Sequence, residues 1–344
     1  MTIDKALTQI IAGNDLSQEE TRKVFDEIMS GDATAAQIAG ILIGLRVKGE
    51  AVSEITGATI AMRKVSTKVN IEVDYLVDTC GTGGSGSNKL FNISTAAAFV
   101  TAAAGAHVAK HGNRGMSSSS GSADVLDAAG VNIQMPPDVT ARAIAEIGVG
   151  FMFAQTHHPA MKFAGPVRRE LGVRTLFNLI GPLTNPAGAK RQIIGVFAPE
   201  WQEPIAQVCQ LLGSEHVLVV HANGLDELTI TGESRVVELK NNKISQFNIT
   251  PDDFGIPDQS VEGLRVNSPK ESLALIKSSL KKGNHSAASD IVALNAGAAI
   301  YVSGITRSLS DGVAMAEDLI STGQAGEKLS ELVRFSEITT DTKD

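Results

Sequence analysis

The sequence predicts an α/β fold, with a small N-terminal helical domain over residues 1–70 and a larger α/β domain over 71–344 built on a mostly parallel sheet. Three observations predict it. No strand pattern occurs before residue 70, and apolar residues there recur at helical spacing. From 70 onward short strand-like runs alternate with helical ones, the pattern of strands joined by helical crossovers. Residues 76–122 hold two glycine- or serine-rich turns around one small-residue helix, and each turn follows a strand.

In the helical segment, Leu7, Ile10 and Ile11 form one apolar face. Asp15 to Ser17 open the next helix, with Glu19 and Glu20 in its first turn, where carboxylates suit the open N–H groups. Thr34 to Val47 carries Ile38, Leu42, Ile43 and Leu45 at helical spacing, and Ser53 to Arg63 carries another such set. Strands are predicted at 74–78, 106–109, 150–154, 192–197 and 216–220. Helices are predicted between them at 92–104, 122–129, 138–147 and 200–212, with a further one at 160–171. Leu228 to Thr250 changes character and reads as short strands with turns at Gly232 and Asn241-Asn242, an antiparallel excursion near the sheet edge. Helices return at 268–281, 285–302 and 308–322. Ala293 to Ala299 is expected to be buried, and the final TTDTKD frayed.

The chain has 344 residues, 43% apolar but only 4% aromatic, so alanine, valine, leucine and isoleucine must fill the core. A net charge of −8 argues against a nucleic-acid or membrane-surface binder. Cations for a phosphate ligand must therefore be concentrated locally. Two cysteines, Cys80 and Cys209, make no disulfide framework and suit a reducing compartment. The start, MTIDKALTQI, lacks the basic and apolar regions of a signal peptide. Runs such as 96–106 are too short to span a bilayer. The expectation is a cytoplasmic protein that meets neither membrane nor nucleic acid.

The chemistry centres on the two turns. Cys80 to Ser87 holds four glycines, whose backbone can reach φ > 0 and leave N–H groups bare. Asn92 or Ser94 can cap the helix that follows. A second strand, His107 to Lys110, leads into His111-Gly112-Asn113-Arg114-Gly115, and the serines 117–120 enter another helix near Ser122. Strand, glycine loop and helix N-terminus make an anion site. Two such turns, the second carrying Lys110 and Arg114, suggest a ligand with more than one phosphate. The loop is neither a dinucleotide fingerprint, lacking the later acidic residue, nor a P-loop, lacking Gly-Lys-Ser/Thr.

GTGG at 81–84, NIST at 92–95, KHGNR at 110–114, SGSAD at 120–124 and VRRELGVRTLFNLIGPLTNPA at 167–187, with the pair Asp226-Glu227, closely resemble the anthranilate phosphoribosyltransferase family. The resemblance runs over nearly the whole chain. It implies the nucleoside phosphorylase/phosphoribosyltransferase type of fold, with helices near 160–185 completing the helical domain and a homodimer through it. It implies transfer of phosphoribose from 5-phosphoribosyl 1-pyrophosphate to anthranilate in tryptophan biosynthesis. Gly81, Gly84, Ser85, Asn92, Ser94, Thr95, Lys110, His111, Gly112, Asn113, Arg114, Ser117, Ser118 and Ser122 match the family's pyrophosphoribose-binding positions. Gly81, Asn113 and Arg168 match its anthranilate site, His111 also lines the acceptor, and a guanidinium fork suits a carboxylate. Asp226, Glu227 and Ser94 match its ligands to Mg²⁺, with two ions implied. From the residues alone, a solvated acidic turn after the strand 216–220 is the favoured reading of Asp226-Glu227, and the resemblance reverses it.

Two departures stand out. The family's GTGG is usually followed by Asp, where this chain has Ser85, and the loop from Gly81 to Thr95 is one residue longer than expected near Lys89. Other readings stay open. A pyrimidine nucleoside phosphorylase would share the architecture, and a non-enzymatic relative would bind nucleic acid on a broad basic surface. The residues present no serine or cysteine beside an evident base, so no covalent intermediate is expected, and His111 is the one candidate for a weak base. His157-His158 lacks metal-pair spacing.

Overall fold

The computed structural model describes residues 1–83, 90–115 and 119–338. Four helices come first: α1 (Ile3–Ile11), α2 (Gln18–Ser30), α3 (Ala35–Lys48) and α4 (Val52–Lys64). Ser17 opens α2 with a capping box: its hydroxyl accepts from the Glu20 amide, and the Glu20 carboxylate accepts from the Ser17 amide. Two otherwise open N–H groups are thereby satisfied. Thr34 and Gln37 do the same for α3. Ile11, expected on the apolar face with Leu7 and Ile10, is 81% exposed. Successive helical residues point about 100° apart, and Ile10 takes the core-facing direction. In α3 it is Ile41 that is fully buried, beside Ile38, Leu42 and Leu45, while Ile43 is only partly covered.

The alternating part begins with β1 (Leu76–Thr79), α5 (Ile93–Ala103), β2 (His107–Gly112), α6 (Ser122–Ala128), α7 (Pro137–Ile147) and β3 (Val149–Phe153). Three helices follow, α8 (Ala154–His157), α9 (Met161–Leu171) and α10 (Leu176–Ile180), and then β4 (Arg191–Gly195), α11 (Gln202–Leu211) and β5 (His216–His221). A hairpin of β6 (Ser234–Lys240) and β7 (Lys243–Ile249) precedes the last helices, α12 (Pro269–Ser279), α13 (Ala287–Ser303), α14 (Leu309–Thr322) and α15 (Gln324–Ile338). The strands form one sheet in the order β3-β2-β1-β4-β5-β6-β7. The first five run parallel, and β6 and β7 join antiparallel at the edge.

Side chains along the strands alternate between two cores, as a period of two requires. Leu218 and Val220 of β5 face a core closed by α5, α13 and α15. Val217 and Val219 face the other, which is shared with the N-terminal helices, α10 and α11. Helices α9 and α10 pack on α2, α3 and α4. Phe177 of α10 meets Phe25 of α2 edge to face, ring centroids 5.7 Å apart.

Three expectations change. The hairpin turn is at Asn241-Asn242, with φ of 52° and 58°, as a two-residue turn requires. Residues 228–233, however, do not extend the sheet, because the Leu228 amide donates to the buried Asn295 Oδ1 of α13 rather than to a strand. Helix α15 lies beyond the last one predicted, held by buried Leu329 and Leu332. Strand β2 runs on to Gly112, so Lys110 and His111 are strand residues facing opposite ways. The terminal TTDTKD lies outside the described residues.

Candidate active site at the carboxyl ends of the parallel strands

Strands β1 and β4 are neighbours, but the chain continues from β1 to β2 on one side and from β4 to β5 on the other. Such a reversal leaves a crevice at the strands' carboxyl ends, where open α/β sheets bind ligands. The glycine loop enters it directly. The Thr82 amide donates to Gly195 O at 2.7 Å, at the end of β4, and the Phe197 amide donates to Thr82 Oγ1 at 3.2 Å. Asp226-Glu227 arrive from the turn after β5. A Cβ on Gly81 would sit 3.1 Å from Asp226 Oδ2, and one on Gly195 would sit 1.7 Å from Asp226 O. Glycine at both places is what lets the acidic turn close on the loop.

The carboxylates impose a negative field there. Burial first, then Asp78, with Asp226 and Glu227 adding to it, pushes the Cys80 thiol well above its ordinary range. Asp226 and Glu227 are partly exposed, and among the described residues no group of three or more His, Cys, Asp or Glu forms a metal cage. Two hard oxygen donors without a cage suit Mg²⁺, which keeps waters and takes further ligands from a bound phosphate.

The pleat divides the remaining groups. Thr79 and Lys110 face α5. The buried Lys110 ammonium donates to Thr79 O at 2.8 Å and approaches Ser94 Oγ at 3.4 Å. It therefore sets the first turn of α5 rather than projecting as a free cation. Thr95 in the same turn is buried, and its hydroxyl has no partner among the described residues. Asn92 is the residue before α5, yet its side chain does not cap the helix. Its Oδ1 accepts from Ser120 at 2.8 Å and Ser272 at 2.7 Å, tying α5 to the serine turn and α12. Arg114 is exposed and paired with Asp124 and Asp127, both at 3.0 Å. Gly112 is needed because a Cβ would sit 2.1 Å from Ser122 Oγ.

Asp78 and His111 face the other way, toward residues 181–185. His111 Nδ1 lies 3.1 Å from Gly181 O, and a carbonyl only accepts, so the proton is on Nδ1. Nε2 then carries the lone pair, and it is buried without a partner among the described residues. Burial first, and then His158, whose ring meets it edge-on at 5.1 Å, holds the His111 pKa well below 6.5. Burial lowers His158 to about 4. On α9, Arg168 lies over the Phe177 ring at 5.1 Å, and no acid pairs with it among the described residues. Burial pushes its pKa down to about 10, whereas Arg169 is exposed. Asn113 is exposed, its Oδ1 taking the Arg114 amide at 2.8 Å.

Residues 4–66 match the helical bundle domain of a glycosyl transferase family, and residues 73–326 match that family's a/b domain. The anthranilate phosphoribosyltransferase of Teredinibacter turnerae is 56% identical over 342 residues, which is 98% of this chain and 100% of that protein. The chain belongs to the anthranilate phosphoribosyltransferase family. The crystal structure of a family member from Thermus thermophilus superimposes with a TM-score of 0.91 at 44% identity, covering 96% of this chain and 99% of that one. The Saccharomyces cerevisiae anthranilate phosphoribosyltransferase in complex with PRPP and Mg shares the fold, with a TM-score of 0.87 at 23% identity and 98% of each chain covered.

Of the positions matched to the anthranilate phosphoribosyltransferase family, Gly84, Ser85, Ser117 and Ser118 lie outside the described residues, as does Lys89 in the lengthened loop. Of the others, Gly81 approaches Asp226 and Lys110 approaches Ser94, while His111 and Arg168 lie against Gly181 and Phe177 of one short segment. Sequence reasoning missed Asp78, Asn185 as an individual residue, His158 and Phe177. A buried carboxylate in a strand has no sequence signature. The NPxG segment at 185–188 was the one available pointer to Asn185.

Proposed function

We propose that this chain transfers the phosphoribosyl group of 5-phosphoribosyl 1-pyrophosphate to the amine of anthranilate, releasing pyrophosphate, as a step of tryptophan biosynthesis. The carrying observation is that the chain holds two unlike sites, related through His111 and the segment 177–181. A glycine loop meets Asp226 on one side, and on the other stands a desolvated guanidinium, Arg168, that no acid of the described chain neutralises. An aromatic carboxylate satisfies Arg168, whereas a neutral pyrimidine does not.

In the reaction the anthranilate nitrogen forms a bond to ribose C1 as the C1–O bond to pyrophosphate breaks, and the proton shed by the newly alkylated nitrogen passes to the departing pyrophosphate or to solvent. An aromatic amine is largely unprotonated near neutrality and needs little activation. The barrier lies in departure of the charged leaving group as positive charge grows on the sugar. Asp226, Glu227 and Ser94 would hold Mg²⁺, two ions in all, which supplies charge neutralisation to the pyrophosphate when bound. Open amides in the first turn of α5 add hydrogen bonds to that charge. Arg168 fixes the acceptor's carboxylate. His111 is neutral and its buried Nε2 lone pair has no partner among the described residues, so it would accept a hydrogen bond from the amine and orient it once the acceptor is seated. Its lowered pKa makes it a poor proton store, so its contribution is alignment.

Loss of anthranilate fluorescence with pyrophosphoribose and Mg²⁺, run beside thymidine phosphorolysis and a salt-titrated DNA-binding test, decides the matter. Transfer to anthranilate alone is expected. Phosphorolysis or DNA binding without transfer would overturn the assignment. The homodimer belongs to the same proposal, and a monomer in sedimentation at working concentration would remove it.

A further inference from the structure

We propose that Asp78 and Asn185 form a positioning pair that registers the acceptor wall against the strand ends, and that transfer depends on them through the acceptor rather than through the phosphates. This rests on the transfer reaction proposed above. Asp78 is fully buried in β1, and both its oxygens are used. Oδ2 accepts from Asn185 Nδ2 at 2.7 Å and Oδ1 from the His111 amide at 3.1 Å. Asn185, itself buried, also donates to Ala109 O at 2.9 Å and accepts from the Ala187 amide at 2.9 Å. One buried amide thus bridges β1, β2 and the stretch that follows α10.

In the proposed reaction, α10 and that stretch together form the acceptor wall. Phe177 lies under Arg168, and Gly181 O holds the His111 ring. Arg63 of α4 grips it from the helical side, donating to Leu183 O at 2.7 Å. On the sheet side, Asp78–Asn185 is its side-chain tie to β1. The pleat matters here. Thr79 and Lys110, the neighbours of Asp78 and His111, face α5 and the phosphate set, whereas Asp78 and His111 face the acceptor. Lys110 acts on the buried Asp78 carboxylate from a distance, without a salt bridge, so burying that charge costs free energy unless its hydrogen bonds are kept. What such a group secures is one geometry: a misplacement of about 1 Å at a reacting centre can cost about 100-fold in rate.

The test uses steady-state kinetics for both substrates, with a melting curve for each protein. Asp78→Asn keeps an acceptor for the His111 amide but sets N–H against the Asn185 N–H. Asn185→Ala removes the same link from the other side. Each should lower kcat/KM for anthranilate about 10- to 100-fold while KM for pyrophosphoribose moves less than about 3-fold. The exchange Asp78→Asn with Asn185→Asp restores the link between the two side chains but sets a carboxylate oxygen against Ala109 O, so it should recover part of the loss, at least about 3-fold relative to Asp78→Asn. Equal damage to both substrates, unchanged kinetics, or an exchange no better than Asp78→Asn would overturn the proposal. So would variants that lose their fold and are not restored by the exchange, since the pair would then serve stability alone. An inactive wild type would instead strike the transfer reaction itself, and is seen before any variant is compared.

Discussion

Two residues next to each other in sequence, Arg168 and Arg169, show how burial assigns roles. Arg168 is partly desolvated over Phe177 and Arg169 is exposed. Charge-assisted hydrogen bonds to a ligand are worth roughly 1.5–3 kcal/mol. Arg168→Ala should therefore raise KM for anthranilate about 10- to 100-fold and leave that for pyrophosphoribose near wild type. Arg169→Ala should change neither, and equal effects from the two would reject the assignment. Histidine protonation gives a second residue-scale expectation. His111, His157 and His158 all have folded-state pKa values below the ordinary 6.5. Below about pH 6.5 the unfolded chain thus binds more protons, and their contribution to stability is lost as pH falls toward about 4. His158, at about 4 in the fold, accounts for up to ~3 kcal/mol of that loss. Asp78, raised by burial to about 6, works in the opposite sense. Melting curves from pH 7 to 4.5 should show a shallower fall for His158→Gln than for wild type; equal slopes would refute the shift.

At the scale of elements, the site depends on glycines where backbone meets backbone. Gly195 ends β4 against Asp226, with no room for a Cβ. Gly195→Ala should push the 226–227 turn out of the crevice, costing about 1–3 kcal/mol in stability from overpacking. It should also raise the Mg²⁺ needed for half-maximal turnover, as no substitution on the protein's outer surface would. An unchanged magnesium profile at full activity would show that the turn tolerates the shift. The first turn of α5 makes a related point. A helix N-terminus offers open amides whatever its cap. Here Asn92 is spent on Ser120 and Ser272, so the turn is positioned from outside the helix.

For the molecule as a whole, two cores share one sheet, and we place the boundary between the helical and α/β units at residues 70/71. Every proposed site residue lies after that boundary, yet Arg168 and Phe177 sit on α9 and α10, which pack on α2, α3 and α4 of the helical unit. The acidic turn belongs to the sheet alone. Asp226→Asn with Glu227→Gln should cut turnover by at least about 10- to 100-fold at low Mg²⁺, with partial recovery as Mg²⁺ rises, the scale seen for weakened metal sites. Circular dichroism should be unchanged. Wild-type rates at every magnesium concentration would make the pair an ordinary surface turn.

The order of strands and helices, the parallel sheet and the two turns that follow β1 and β2 were readable from periodicity and glycine placement, because those signals are local. So was the hairpin at Asn241-Asn242, whose left-handed residues announce a two-residue turn. Family motifs added the acidic pair and Arg168, which residue types alone left ambiguous. What tertiary structure decided was direction and partnership. It extended β2 through His111 and thereby sent Lys110 and His111 to opposite faces. It left Ile11 in solvent, and it enclosed Asp78 with Asn185 from 107 residues away. Those outcomes depend on which distant groups close over a residue, and a local pattern carries no record of them.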